Sequence, residues 1–142
     1  MINNKILALK YRPQDFKDLI GQEVMAQTIT NAIKLQKTPN AYLLTGIRGV
    51  GKTTTARLIA KALNCIKNVD ETKKCAENSL CNSCSEIVNS NHIDVLEMDA
   101  ASKTGIDDVR ELIENSKYSP TSAQFKIFII DEVHMLSNQA FN

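Results

Sequence analysis

The 142-residue sequence is 43% apolar and 23% charged, which is enough chain to bury one sizeable core. It has no run of about 18 apolar residues, so no spanning helix is expected. MINNKILALKYRP at the start lacks a signal peptide's apolar core and cleavage site, so a cytoplasmic protein without membrane partners is expected. The net charge of +1 hides a division. Residues 1–61 hold ten Lys/Arg against three Asp/Glu, and residues 62–142 hold seven against thirteen. A basic front half suits phosphate or nucleic acid, yet mutual neutralisation within one fold accounts for the split as well. Charge alone identifies no partner.

The first element is an amphipathic helix beginning near Gln22, with Val24, Met25, Ile29, Ala32, Ile33 and Leu35 as its apolar positions and Gly21 breaking it from a preceding turn. Pro39-Asn40 punctuates the chain, and AYLLT at 41–45 then reads as a short buried strand. Residues 53–64 form a helix with Ala56, Ile59, Ala60 and Leu63 on one face. Residues 65–84 break every periodicity and contain all four cysteines. A short helix follows near 85–89, then a strand within HIDVLEMDA at 92–100. IDDVRELIENS at 106–116 is a second amphipathic helix, preceded by capping and turn residues at 102–104 and ended by Ser119-Pro120. KIFIID at 126–131 reads as a fully buried strand, and LSNQAFN begins another helix. Strands alternating with helices predict a parallel α/β sheet with helices on its faces.

Gly46-x-x-x-x-Gly51-Lys52-Thr53 lies between the first strand and a helix, the context a phosphate-binding loop requires. Glycines let successive N–H groups point at phosphate oxygens, and the helix adds the positive end of its dipole. Gly46, Gly49, Val50, Gly51, Lys52, Thr53 and Thr54 are the candidate nucleotide contacts. Lys52 would reach the β- and γ-phosphates, and the Thr53 hydroxyl would ligate Mg²⁺. The apolar strand 126–131 ends in Asp131-Glu132, at the carboxyl edge where parallel sheets bind ligands. Asp131 is placed to hold Mg²⁺ through water and Glu132 to polarise an attacking water. Lys52, Asp131 and Glu132 are the candidate catalytic residues for Mg-nucleotide hydrolysis. A nucleotide kinase shares the loop and is the alternative; it would phosphorylate an added acceptor. His92 and His134 read as plain surface or core residues, with substrate contact the competing reading for His134 just after the acidic pair.

Cys65, Cys75, Cys81 and Cys84 are separated by nine, five and two residues. Reduced thiols clustered in one polar insertion match a four-thiolate zinc site, structural because no coordination position stays open. Unrelated free thiols and a redox role for Cys81–Cys84 are the competing readings.

With these residues in view, the chain resembles the clamp-loader ATPases of the AAA+ superfamily, in particular gamma/tau-type subunits of bacterial DNA polymerase III. The resemblance is carried by ALKYRPQDFKDLIGQE at 8–23, GIRGVGKTTTARLIAKALNC at 46–65, the cysteine insertion at 65–84, LEMDAASKTGIDDVRELIE at 96–114 and KIFIIDEVHMLSNQAFN at 126–142. It implies a P-loop NTPase sheet of AAA+ type with a Cys₄ zinc insertion. It also implies ATP, Mg²⁺ and Zn²⁺ as cofactors, and other clamp-loader subunits, the sliding clamp, the polymerase III holoenzyme and primed DNA as partners. ATP binding would open the clamp and hydrolysis would release it. The family also places Tyr11, Arg12 and Pro13 near the adenine. No paired aspartates of a polymerase palm are visible, so nucleotidyl transfer belongs to the holoenzyme. Family members continue past residue 142, and their fourth strand lies between the first and third. Residues 1–142 are therefore expected to be an incomplete ATPase domain in which AYLLT lacks its sheet neighbour. Such a chain would carry the sites, and a binding module without turnover is the second expectation.

Overall fold

The computed structural model describes residues 11–13, 16–66, 75, 80–102 and 105–141. Gly21 adopts φ +77°, which turns the chain from a 3₁₀ turn (Phe16–Asp18) into α1 (Glu23–Lys34). Glu23 in its first turn and Lys34 in its last complement the helix dipole. Ala26 and Ile29 are buried, as is Leu19. Val24 was expected on the same face but is 80% exposed. It lies two residues from Ala26, about 200° around the helix.

Residues 41–46 form no strand, and Leu43 is 79% exposed. This corrects the buried strand expected there. An apolar run becomes a strand only when a neighbour satisfies its N–H and C=O groups, and the sheet among the described residues has two strands, neither of them this one. The loop 46–51 leads into α2 (Lys52–Asn64), where Thr55, Leu58 and Ile59 are buried. Of the four face residues expected on α2, Ile59 and Ala60 are buried, while Ala56 and Leu63 are only half-buried.

The chain divides into two compact units, Met1–Ile59 and Ala60–Asn142. In the second, α3 (Asn82–Val88) starts three residues earlier than expected because Cys81 serves as its N-cap, the thiol accepting from the Cys84 N–H. β1 (Val95–Asp99) and β2 (Ile127–Asp131) pair in parallel, Val95 opposite Ile127 and Asp99 opposite Asp131. Parallel strands need a long crossover, and α4 (Ile106–Ser116) lies within it. Its N-cap is Gly105, without a side-chain cap bond. Ser102 instead bonds the Asp99 carbonyl in a turn, and 103–104 lie outside the described residues.

β2 is not fully buried as expected. Only Ile129 is, while Ile127 and Phe128 are half-buried and Ile130 is 37% exposed. A 3₁₀ turn (Val133–Met135) and α5 (Asn138–Phe141) follow, and α5 touches α4. Cys84, Ile87, Val95, Met98, Ala100 and Ile129 form this unit's apolar core. No helix among the described residues is long and apolar enough to cross a membrane.

Candidate phosphate loop and metal centre

The loop before α2 carries its glycines where the backbone requires them. Gly49 and Gly51 sit at φ +86° and +88°, a region that strains a residue bearing Cβ. The Lys52 ammonium donates back to the Gly46 and Ile47 carbonyls at 2.8 and 3.1 Å, so the cation is held at the loop's mouth. Thr55 steadies the first helical turn by donating its hydroxyl to the Gly51 carbonyl. Arg12 Nε donates to Thr54 Oγ1 at 3.1 Å, which brings the 11–13 segment to the start of α2, while Tyr11 is largely exposed. A cleft of about 410 Å³ adjoins the loop, lined by Met25, Ile29, Tyr42, Val50, Lys52 and Thr55 among others. Burial raises the pKa of Tyr42, whose hydroxyl has no partner among the described residues.

Asp131 closes β2, and its carboxylate accepts the Glu132 N–H at 3.0 Å. Glu132 is held at φ 50°, ψ 41°, a left-handed conformation uncommon away from glycine. His134 Nε2 lies 3.5 Å from the Glu132 carboxylate. Neither the backbone strain nor this pairing is legible from residue type or spacing. Lys52 and Thr53 belong to the first unit, Asp131 and Glu132 to the second.

The sulfurs of Cys65, Cys75, Cys81 and Cys84 all lie within 4.8 Å of one another, and Cys65 and Cys75 are 3.4 Å apart. Residues 67–74 and 76–79 of the insertion lie outside the described residues. Burial pushes the Cys84 thiol far up, and its bonds to Cys65 and Cys81 add to the push. Burial also raises Cys81, but hydrogen bonds from the Cys84 and Ile66 N–H groups, and from the Cys84 and Cys75 thiols, outweigh it and bring Cys81 to about 7. The Cys81 N–H in turn points at the Cys75 sulfur at 3.4 Å. Soft donors converging on one point, one of them fully buried, fit a metal ion such as zinc.

Asp94 escaped the sequence reading. It is 1% exposed and its carboxylate accepts the N–H groups of Thr121, Ser122 and Ala123. An acid before an apolar strand looks like any solvated loop acid, and the one hint is the Thr-Ser-Ala run that supplies its donors. His92, read as a plain residue, is buried and bonded to Ser83.

Residues 21–142 match the family described as DNA polymerase III, delta subunit. Over 138 residues the chain is 47% identical to the DNA polymerase III subunit tau/gamma of Haemophilus influenzae, covering 97% of this chain and 20% of that protein. Against the subunit gamma of Buchnera aphidicola subsp. Baizongia pistaciae the identity is 46% over 141 residues, 99% of this chain and 37% of the relative. Against the subunit tau of Bacillus subtilis it is 44% over 132 residues, 93% of this chain and 23% of the relative. The chain thus spans well under half the length of these relatives. It belongs to the family of DNA polymerase III subunits that this match defines, and corresponds to the N-terminal part of the tau/gamma subunits it resembles.

Proposed function

We propose that the chain is the nucleotide-binding part of a clamp-loader subunit of DNA polymerase III, coupling ATP to placement of the sliding clamp on primed DNA. The observation that carries this is the glycine loop 46–51, with three glycines at positive φ and Lys52 seated at its mouth on the first residue of a helix. Gly49, Val50 and Gly51 present backbone N–H groups around a phosphate. The Lys52 ammonium exchanges the Gly46 and Ile47 carbonyls for phosphate oxygens of greater charge. The Thr53 hydroxyl and the Asp131 carboxylate would hold Mg²⁺, which neutralises phosphate charge when bound. Glu132 orients the attacking water once its carboxylate leaves His134. The four cysteines would hold a structural Zn²⁺. Arg12, tied to Thr54, fixes the segment expected beside the adenine.

The run 41–45, which precedes the loop without pairing into a sheet, favours a second reading for the chain on its own: nucleotide and metal are bound but not turned over. Phosphate release from ATP by wild type and Glu132→Gln separates the two. An ATPase loses turnover in the variant and keeps binding. A wild-type chain that binds ATP without phosphate release supports the binding module. Turnover surviving in Glu132→Gln removes Glu132 from the reaction.

A further inference from the structure

The second unit holds a buried polar chain that none of the expected functions uses. It starts at the cysteine cluster. Ser83 lies between Cys81 and Cys84 and donates its hydroxyl proton to the Asn64 carbonyl at 2.9 Å; Asn64 immediately precedes Cys65. A hydroxyl has one proton, so Ser83 Oγ accepts at its other contact, from His92 Nε2–H at 3.1 Å. That fixes the imidazole tautomer, leaving Nδ1 to accept the Asp94 N–H at 3.0 Å. Asp94 then gathers the N–H groups of Thr121, Ser122 and Ala123 at 2.7–2.9 Å, and its carbonyl accepts the N–H of Ile127, the first residue of β2. A second arm is shorter. The Asn64 side chain donates to the Phe125 carbonyl and accepts the Phe125 N–H. Asn64, Ser83, His92 and Asp94 are all buried, so no water stands ready to replace a lost partner.

We propose that Asn64, Ser83, His92 and Asp94 are positioning residues that make a metal held by the four cysteines order the 121–125 segment and the start of β2. The inference rests on the metal-binding reading of the cysteines. A metal ion fixes Cys65 against Cys81 and Cys84, and so fixes Asn64 against Ser83. Without it, no metal–thiolate bond joins Cys65 to Cys81 and Cys84, the two ends are free to separate, and the Ser83–Asn64 bond is the first link to open. The slack passes through His92 to Asp94 and directly through Asn64 to Phe125. β2 ends in Asp131-Glu132, so the cysteine insertion would steady the strand that carries the acidic pair.

The test is amide hydrogen exchange on the 142-residue chain, zinc-loaded and chelator-stripped under reducing conditions, with bound zinc counted by a chromogenic chelator. The expected result is one zinc per chain and, on stripping, roughly tenfold or faster exchange at Thr121, Ser122, Ala123 and Phe125, with α4 retaining its protection. Zinc-loaded Ser83→Ala should exchange at 121–125 as fast as stripped wild type, and Ser83→Thr, which keeps the hydroxyl, should restore protection. Zinc retained with unchanged exchange at 121–125 on stripping overturns the relay and leaves the metal reading standing. A uniform rise across the whole unit also overturns it, as does zinc-loaded Ser83→Ala protected like wild type. Failure of wild type to retain zinc overturns the metal reading itself, and the relay with it. The wild-type comparison decides the matter whether or not the alanine variant folds.

Discussion

The side chain of Asn64 grips the backbone of Phe125 from both sides, Nδ2 donating to its carbonyl at 2.8 Å and Oδ1 accepting its N–H at 2.9 Å. One amide thereby ties the last residue of α2 to a segment 61 positions away. Asn64→Ala removes both bonds. The expected destabilisation is about 1–2 kcal/mol in urea unfolding. An unchanged midpoint would show that the 121–125 segment is held elsewhere.

Asp94 gives the fold a specific acid sensitivity. Burial alone would raise its carboxyl, but the N–H groups of Thr121, Ser122 and Ala123 and the Ser122 hydroxyl outweigh burial and hold it at about 2, against an ordinary 3.8. A carboxyl depressed in the folded state contributes stability above its unfolded value, and loses it as pH falls through the folded one. The contribution is about 2 kcal/mol, complete above roughly pH 5 and gone near pH 2. Asp94→Asn should be less stable at pH 7, because its NH₂ faces donors. Its stability should also change less than that of wild type between pH 5 and 2. Parallel pH profiles for the two proteins would remove Asp94 as the source.

Gly51 separates loop geometry from packing. A Cβ there would meet no atom within 4 Å, so the strain of Gly51→Ala comes from φ +88° alone. That costs about 1 kcal/mol in place, and a flexible loop can relieve it by changing shape. The expected outcome is a small loss of thermal stability together with at least tenfold weaker Mg-ATP binding by titration. Wild-type affinity in this variant would mean that the loop's curl is not what binds phosphate.

What the sequence made legible was local. α4 was placed to the residue because its apolar spacing and acidic first turn are both short-range signals. The convergence of the cysteines was legible from their number and clustering, although nothing in their spacing shows Cys84 as the buried member. Segment 41–46 was not legible in the same way. Its apolar content marks a strand, but a strand also needs a partner, and the expectation that this one lacked its sheet neighbour came from family resemblance. The partial burial of β2 and the gathering of three N–H groups by Asp94 depend on residues far along the chain, which periodicity does not register.

Residues 46–53 are proposed to bind a nucleotide phosphate in this chain. Thermal unfolding with and without Mg-ATP, for wild type and Lys52→Ala, tests it most directly. A ligand at 100 times its dissociation constant adds about 2.7 kcal/mol, several degrees for a chain of this length. Wild type should show that rise and Lys52→Ala should lose it. An unmoved wild-type transition, or an equal rise in both proteins, would contradict that proposal.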